Sequence, residues 1–146
     1  MKKIIALLLC TTVLFCGLWI HEITDYSETE ELCQYYAEQA AGHLYEYEKF
    51  KDINDENYIG QYWGSVSIFY AFKETLHTLP DDGGWNEIMY KNCDVVYDHM
   101  ILAPEEILSH LDEVVEVLEL VGEDYDSFEA RSTMSELSYN LQYVWE

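Results

Sequence analysis

Basic residues are scarce: seven Lys and Arg stand against 29 Asp and Glu in 146 residues, a formal net charge of −22. That deficit argues against nucleic-acid binding, whose affinity comes from Lys and Arg neutralising phosphates. Familiar catalytic signatures are missing as well. The chain contains no P-loop, no Gly-x-Ser-x-Gly elbow and no Cys-x-x-Cys. No window alternates apolar and polar residues as a half-buried strand would. Internal repeats, low-complexity tracts and long linkers are likewise lacking. What is present is a core-forming composition, 49% apolar and 15% aromatic with thirteen Tyr. A disordered acidic tail has neither the aliphatic nor the aromatic side chains for that.

Met1-Lys2-Lys3 precedes an uncharged run from Ile4 to Ile20. A basic start followed by an apolar stretch is the pattern of an export signal or anchor. The run would measure about 25 Å as a helix, at the short end of a membrane span. Phe15 before Cys16 and Leu9 before Cys10 do not fit a lipoprotein site, and small residues for leader cleavage are poorly placed. The reading therefore favours an uncleaved anchor over residues 1–20, with membrane contact through residues 4–20. A cleaved leader, giving a periplasmic or secreted protein, is the alternative. Lys2 and Lys3 would remain in the cytoplasm. Residues 21–146 would form the outward domain, holding all 29 acids and only Lys49, Lys51, Lys73, Lys91 and Arg131 as bases.

From Ser27 onward apolar residues recur in steps of three and four, which predicts helices packing along a seam. Ser27 with Glu30 reads as a capping box opening a helix whose stripe is Cys33, Ala37, Ala40, Leu44 and Tyr47. Residues 52–57 end it and supply the next N-cap. The second stripe is Tyr58, Tyr62, Phe69, Phe72, Leu76 and Leu79, with Ser65 filling a gap. Pro80-Asp81-Asp82-Gly83-Gly84 is a turn. A third helix aligns Met89, Cys93, Val96 and Met100. Pro104 opens a fourth, with Ile107, Leu111, Val114, Leu118 and Val121 in register and Gly122 as its stop. Asp126 with Glu129 would cap a last helix bearing Ala130, Met134, Leu137, Leu141 and Val144. The expected fold is all-α: an N-terminal signal or anchor helix, then a single antiparallel bundle of four to five helices.

Gly60, Gly64, Ser67 and Ala71 form a small-residue stripe expected to meet Ala37, Ala40 and Ala41 at a close helix crossing, or to leave a groove. Cys33 and Cys93 are the disulfide candidates of the outward domain. Each occupies an apolar helix position, which favours two buried thiols over a bridge. Metal chemistry has weak candidates. Glu74 and His77 are three apart on one helix face, as in one half of a di-iron site. Glu106 and His110, followed by Glu113, are similarly spaced. Surface hydrogen bonding accounts for both pairs more simply. Neither Asp52-Ile53-Asn54 nor Asp124-Tyr125-Asp126 has the Gly and Glu that an EF-hand needs, and no cofactor is expected.

Charge distribution is the most informative feature. No Lys or Arg lies between Lys91 and Arg131, while residues 105–129 contain ten acids. Glu105, Asp112, Glu116, Glu119 and Glu123 fall on one face. The like-charge pairs at four-residue spacing each cost about 0.2–0.5 kcal/mol. A solvated, solubilising face is one account; a dock for a basic protein partner is the other. The Tyr residues crowding the first two helices fit core and boundary packing first, and binding anchors second. The expected function is an exported, membrane-tethered, non-enzymatic bundle that binds another macromolecule through the acidic face, as an inhibitor, immunity-type or accessory protein. An extracytoplasmic small-ligand or cation-binding module comes next, and a metal-dependent bundle enzyme last.

Overall fold

The computed structural model describes residues 27–53, 55–79 and 83–141, with the backbone of the first helix followed back to residue 2 and that of the last to residue 142. Six helices occur among the described residues: α1 (Lys2–Asp52), α2 (Tyr58–Thr78), α3 (Trp85–Leu102), α4 (Pro104–Ser109), α5 (Leu111–Asp124) and α6 (Phe128–Gln142). No strand is found there. Among the described residues no helix is long and apolar enough to cross a membrane. The expected anchor over residues 1–20 lies outside those whose side chains are described.

The apolar stripes set the helix faces. Cys33, Ala37, Ala40, Leu44 and Tyr47 of α1 are all buried, as are Tyr62, Phe69, Phe72 and Leu76 of α2 and Met89, Cys93, Val96 and Met100 of α3. Ile107, Leu111, Val114, Leu118 and Val121 are buried, as are Ala130, Met134, Leu137 and Leu141 of α6. Val144 lies outside the described residues. Two hydroxyls in the core find backbone partners: Ser65 Oγ donates to the Ala40 carbonyl (2.9 Å) and the Tyr62 hydroxyl to that of Met100 (2.9 Å).

Helix ends follow from local chemistry, not always where expected. The Asp55 carboxylate accepts from the Asn57 backbone N–H (2.9 Å) and side-chain amide (2.7 Å), a local turn that leads into α2. Gly83 and Gly84 adopt φ of +87° and +91°, a left-handed conformation that L side chains resist. Ser27 caps nothing, because α1 continues through it and a capping box acts only where N–H groups are free. The cap of α6 is Ser127, whose Oγ accepts from the Ala130 N–H (3.1 Å), and not Asp126, whose carboxylate is taken by Arg131. The helix opened by Pro104 is interrupted: His110 has φ −113° and ψ 24°, and its N–H is shared between the Glu106 and Ile107 carbonyls. Beside it the Ser109 hydroxyl donates back to the Glu106 carbonyl (2.8 Å), competing with the helical ladder. Gly122 is no stop, for α5 runs two residues further and buries it against α1.

The helices close in a ring: α1 packs on α2, α2 on α3, α3 on α6, α6 on α5 and α5 on α1, with short α4 bridging α3 and α5. Ascending residues of one helix meet descending residues of the next at α1/α2, where Tyr47 touches Tyr58 and Ala40 touches Ser65. The same holds at α2/α3, where His77 meets Tyr90 and Tyr62 meets Met100. It holds again at α1/α5, where Tyr45 meets Glu119 and Gln34 meets Glu123. Five members cannot alternate all the way round a ring, so one adjacent pair must run parallel. That pair is α3/α6, whose first turns meet where Arg131 lies over the Trp85 ring (5.6 Å). The small-residue stripe of α2 meets α1 only in part. Gly60 faces open space and Gly64 faces the His43 ring, whose Nδ1 donates to Gln61 Oε1 (2.6 Å). Ser65, one position round the helix, reaches the Ala40 carbonyl of α1, and Val66 and Phe69 on the same side are buried.

Candidate functional site

The five acids singled out by the sequence are all exposed, on α4 (Glu105) and α5 (Asp112, Glu116, Glu119, Glu123). The interruption at His110 separates Glu105 from the four acids of α5, and folding adds α1 residues to the α5 side. At the α1/α5 seam, Glu38, Gly42 and Tyr45 of α1 join Glu119 and Glu123 around a shallow trough of about 390 Å³. The Tyr45 hydroxyl donates to Glu119 (2.7 Å). That hydrogen bond, then burial and the charges of Glu119, Glu48 and Asp112, raise the Tyr45 pKa above the ordinary phenol value. The α1 contribution was invisible in sequence, because periodicity says which side of a helix is polar but not which helix lies beside it.

Basic residues sit elsewhere. Lys49 pairs with Glu46 (3.0 Å), Lys73 with Asp94 (2.6 Å), Lys91 with Glu87 (2.6 Å) and Arg131 with Asp126. Lys51 lies over the Tyr47 ring (5.6 Å). None of those partners belongs to the five acids of the face. Lys73 is itself the most enclosed of these cations: it is only 6% exposed and is ringed by Tyr70, Tyr90 and Tyr97 at 5.0–5.5 Å.

The metal candidates part company. Glu74 lies 3.6 Å from Lys73, while the His77 ring packs on Tyr90 with centroids 5.0 Å apart. Glu106 Oε2 approaches buried His99 (3.8 Å), and His110 approaches Glu113 (3.3 Å). Among the described residues no group of three or more His, Cys, Asp or Glu is placed to hold a metal ion. Of the tyrosines, Tyr47 and Tyr62 are core, in edge contact with each other (5.8 Å), while Tyr35, Tyr45 and Tyr70 are exposed.

Cys33 and Cys93 are free, fully buried thiols rather than a disulfide. Burial, then the charge of Glu30, pushes the Cys33 thiol up to about 12 from an ordinary 9.0. Burial, then the neighbouring Cys33, pushes Cys93 up as well. Folding thus holds both protons more tightly than the unfolded chain does. The resulting stability is complete below about pH 9 and is lost as pH rises towards 12. The melting temperature should therefore fall over that interval, and fall less steeply for Cys33→Ala/Cys93→Ala. Equal slopes in thermal scans of the two proteins would overturn this account.

A cleft of about 650 Å³ that the apolar periodicity does not mark lies between the parallel helices α3 and α6. Its signal was present: Trp85, Phe128 and Tyr139 are aromatic residues standing off the apolar stripes. Comparison of the chain with protein-family models, with curated proteins and with solved structures finds no match.

Proposed function

We propose that this chain is an exported, membrane-tethered, non-enzymatic helical bundle that binds a basic protein through the acidic face, as an inhibitor, immunity-type or accessory protein. The observation that supports this reading most directly is the lack of internal counter-charge on that face. The bases of the outward domain are engaged with other acids or with a ring, leaving Glu105, Asp112, Glu116, Glu119 and Glu123 without an ion pair among the described residues. A surface meant only for solubility gains from interspersed charges of both signs. A one-signed field accelerates encounter with an oppositely charged partner and repels acidic competitors. The residues 1–20 would provide the tether, with the face directed away from the cytoplasm.

The test is capture of a partner by the full chain, identification of that partner, and titration against it. Glu116→Lys/Glu119→Lys should weaken the complex at least tenfold, and affinity should fall steeply between about 50 and 300 mM NaCl. Glu129→Lys, on α6, should change it little. Undiminished binding after reversal at Glu116 and Glu119, or affinity indifferent to salt, would reduce the face to a solvated one.

A further inference from the structure

The cleft between α3 and α6 has the make-up of a ligand site and not of a loose seam. Its volume of about 650 Å³ falls in the range of small-molecule pockets. Its walls carry Phe128, Tyr139, Trp85 and Ile88, which are 85%, 57%, 52% and 49% exposed. Four large apolar side chains gathered round one hollow form a contiguous patch of the kind that soluble surfaces seldom leave uncovered.

Its polar groups indicate the sign of the ligand. Arg131 is committed to Asp126 and lies on the Trp85 ring, so it presents no unneutralised charge. Glu136 lines the cleft and has no ion pair or hydrogen bond among the described residues. Asn92, Ser132 and Ser135 add neutral donors and acceptors. The first turns of α3 and α6 at one end favour negative charge, and Asp126 already supplies it there. Glu136 lies two turns further on, beyond the reach of that dipole. The Arg131 guanidinium on Trp85 is an internal example of a cation received by this aromatic wall.

We propose that the α3/α6 cleft binds a small organic cation with an aromatic or aliphatic body, its positive end at Glu136 and its apolar body against Trp85, Ile88, Phe128 and Tyr139. This site is separate from the acidic face, and stands or falls independently of it.

The probes are 5-phenylpentyltrimethylammonium, 6-phenylhexanoate, 6-phenylhexanol and tetramethylammonium, each titrated against the full chain by calorimetry and by saturation-transfer NMR. The aromatic cation is expected to bind, the neutral alcohol several-fold more weakly, and the carboxylate and tetramethylammonium not measurably. Glu136→Gln should weaken the cation by about three- to tenfold, and Phe128→Ala, at a side chain too exposed to be needed for folding, should weaken it comparably. Ser132→Phe, which plugs the hollow, should abolish binding. Glu129→Gln, on the same helix outside the cleft, should change nothing. Equal binding of cation and anion, loss of affinity in Glu129→Gln equal to that in Glu136→Gln, or no binding of the aromatic cation at millimolar concentration would each overturn the proposal.

Discussion

Lys73→Ala is expected to cost about 3 kcal/mol of folding stability, whereas Lys73→Met should cost less than about 1. The ammonium lies 2.6 Å from Asp94 and 3.6 Å from Glu74, beneath three tyrosine rings. Burial alone would lower its pKa, but the hydrogen bond and charge of Asp94 outweigh that and raise it, so the group stays charged. Alanine removes the charge and also the buried alkyl stem, and leaves a cavity. Methionine keeps the stem, and Asp94, half exposed, can turn to water. Asp94→Ala should be worse than Lys73→Met, at about 2 kcal/mol, because it leaves the enclosed ammonium with only Glu74 and the rings. The control is Glu87→Ala, which breaks a surface pair with both partners about two-thirds exposed and should cost under about 0.5 kcal/mol. Urea midpoints at unchanged slope measure all four. If Asp94→Ala is no more harmful than Glu87→Ala, the cage around Lys73 contributes nothing special.

Gly122→Val should cost about 3 kcal/mol, and Gly122→Ala should change sign with its neighbour. A Cβ at residue 122 would stand 2.6 Å from Glu38 Cγ, too close for both to stay. The α1 backbone is further off, with Glu38 N at 3.6 Å and Gln34 O at 3.7 Å, ordinary contact distances. Alanine is therefore opposed by a side chain and not by the main chain, while the branched valine would also press on the backbone. In a helix interior Ala is favoured over Gly by about 1 kcal/mol. Gly122→Ala should be destabilising alone and stabilising by about 1 kcal/mol in a Glu38→Ala background. The Gln34–Glu123 and Tyr45–Glu119 hydrogen bonds flank this crossing, so valine should weaken both. A double-mutant cycle by chemical unfolding reads the coupling directly. Additive effects of Gly122→Ala and Glu38→Ala would show that the close approach does not govern this residue.

Both positions illustrate where sequence reading stops. Gly122 follows a run of apolar-periodic residues and looks like a terminator, a role that depends on local conformation. Its actual constraint is the surface of α1, some eighty residues away in the chain. Lys73, between Phe72 and Glu74, looks like a surface lysine. Only Tyr90, Tyr97 and Asp94 of α3 make it an enclosed one. Of the two glycines in the stripe of Gly60, Gly64, Ser67 and Ala71, Gly64 comes up against the His43 ring of α1 while Gly60 faces open space: small residues permit a close crossing but do not summon a partner.

By itself the sequence determined the all-helical class, nearly every residue of the buried stripes, the turn at Gly83-Gly84 and the start at Pro104. These depend on which side of a helix is apolar and on backbone preferences of Pro and Gly, both local properties. Tertiary structure alone decided the closing of five helices into a ring and the assembly of the acidic face from α1 as well as α5. It also decided the pairing of α3 with α6 and the hollow between them. Those features depend on which faces meet, and a helix written as a periodic pattern carries the direction of its apolar side but not the identity of what covers it.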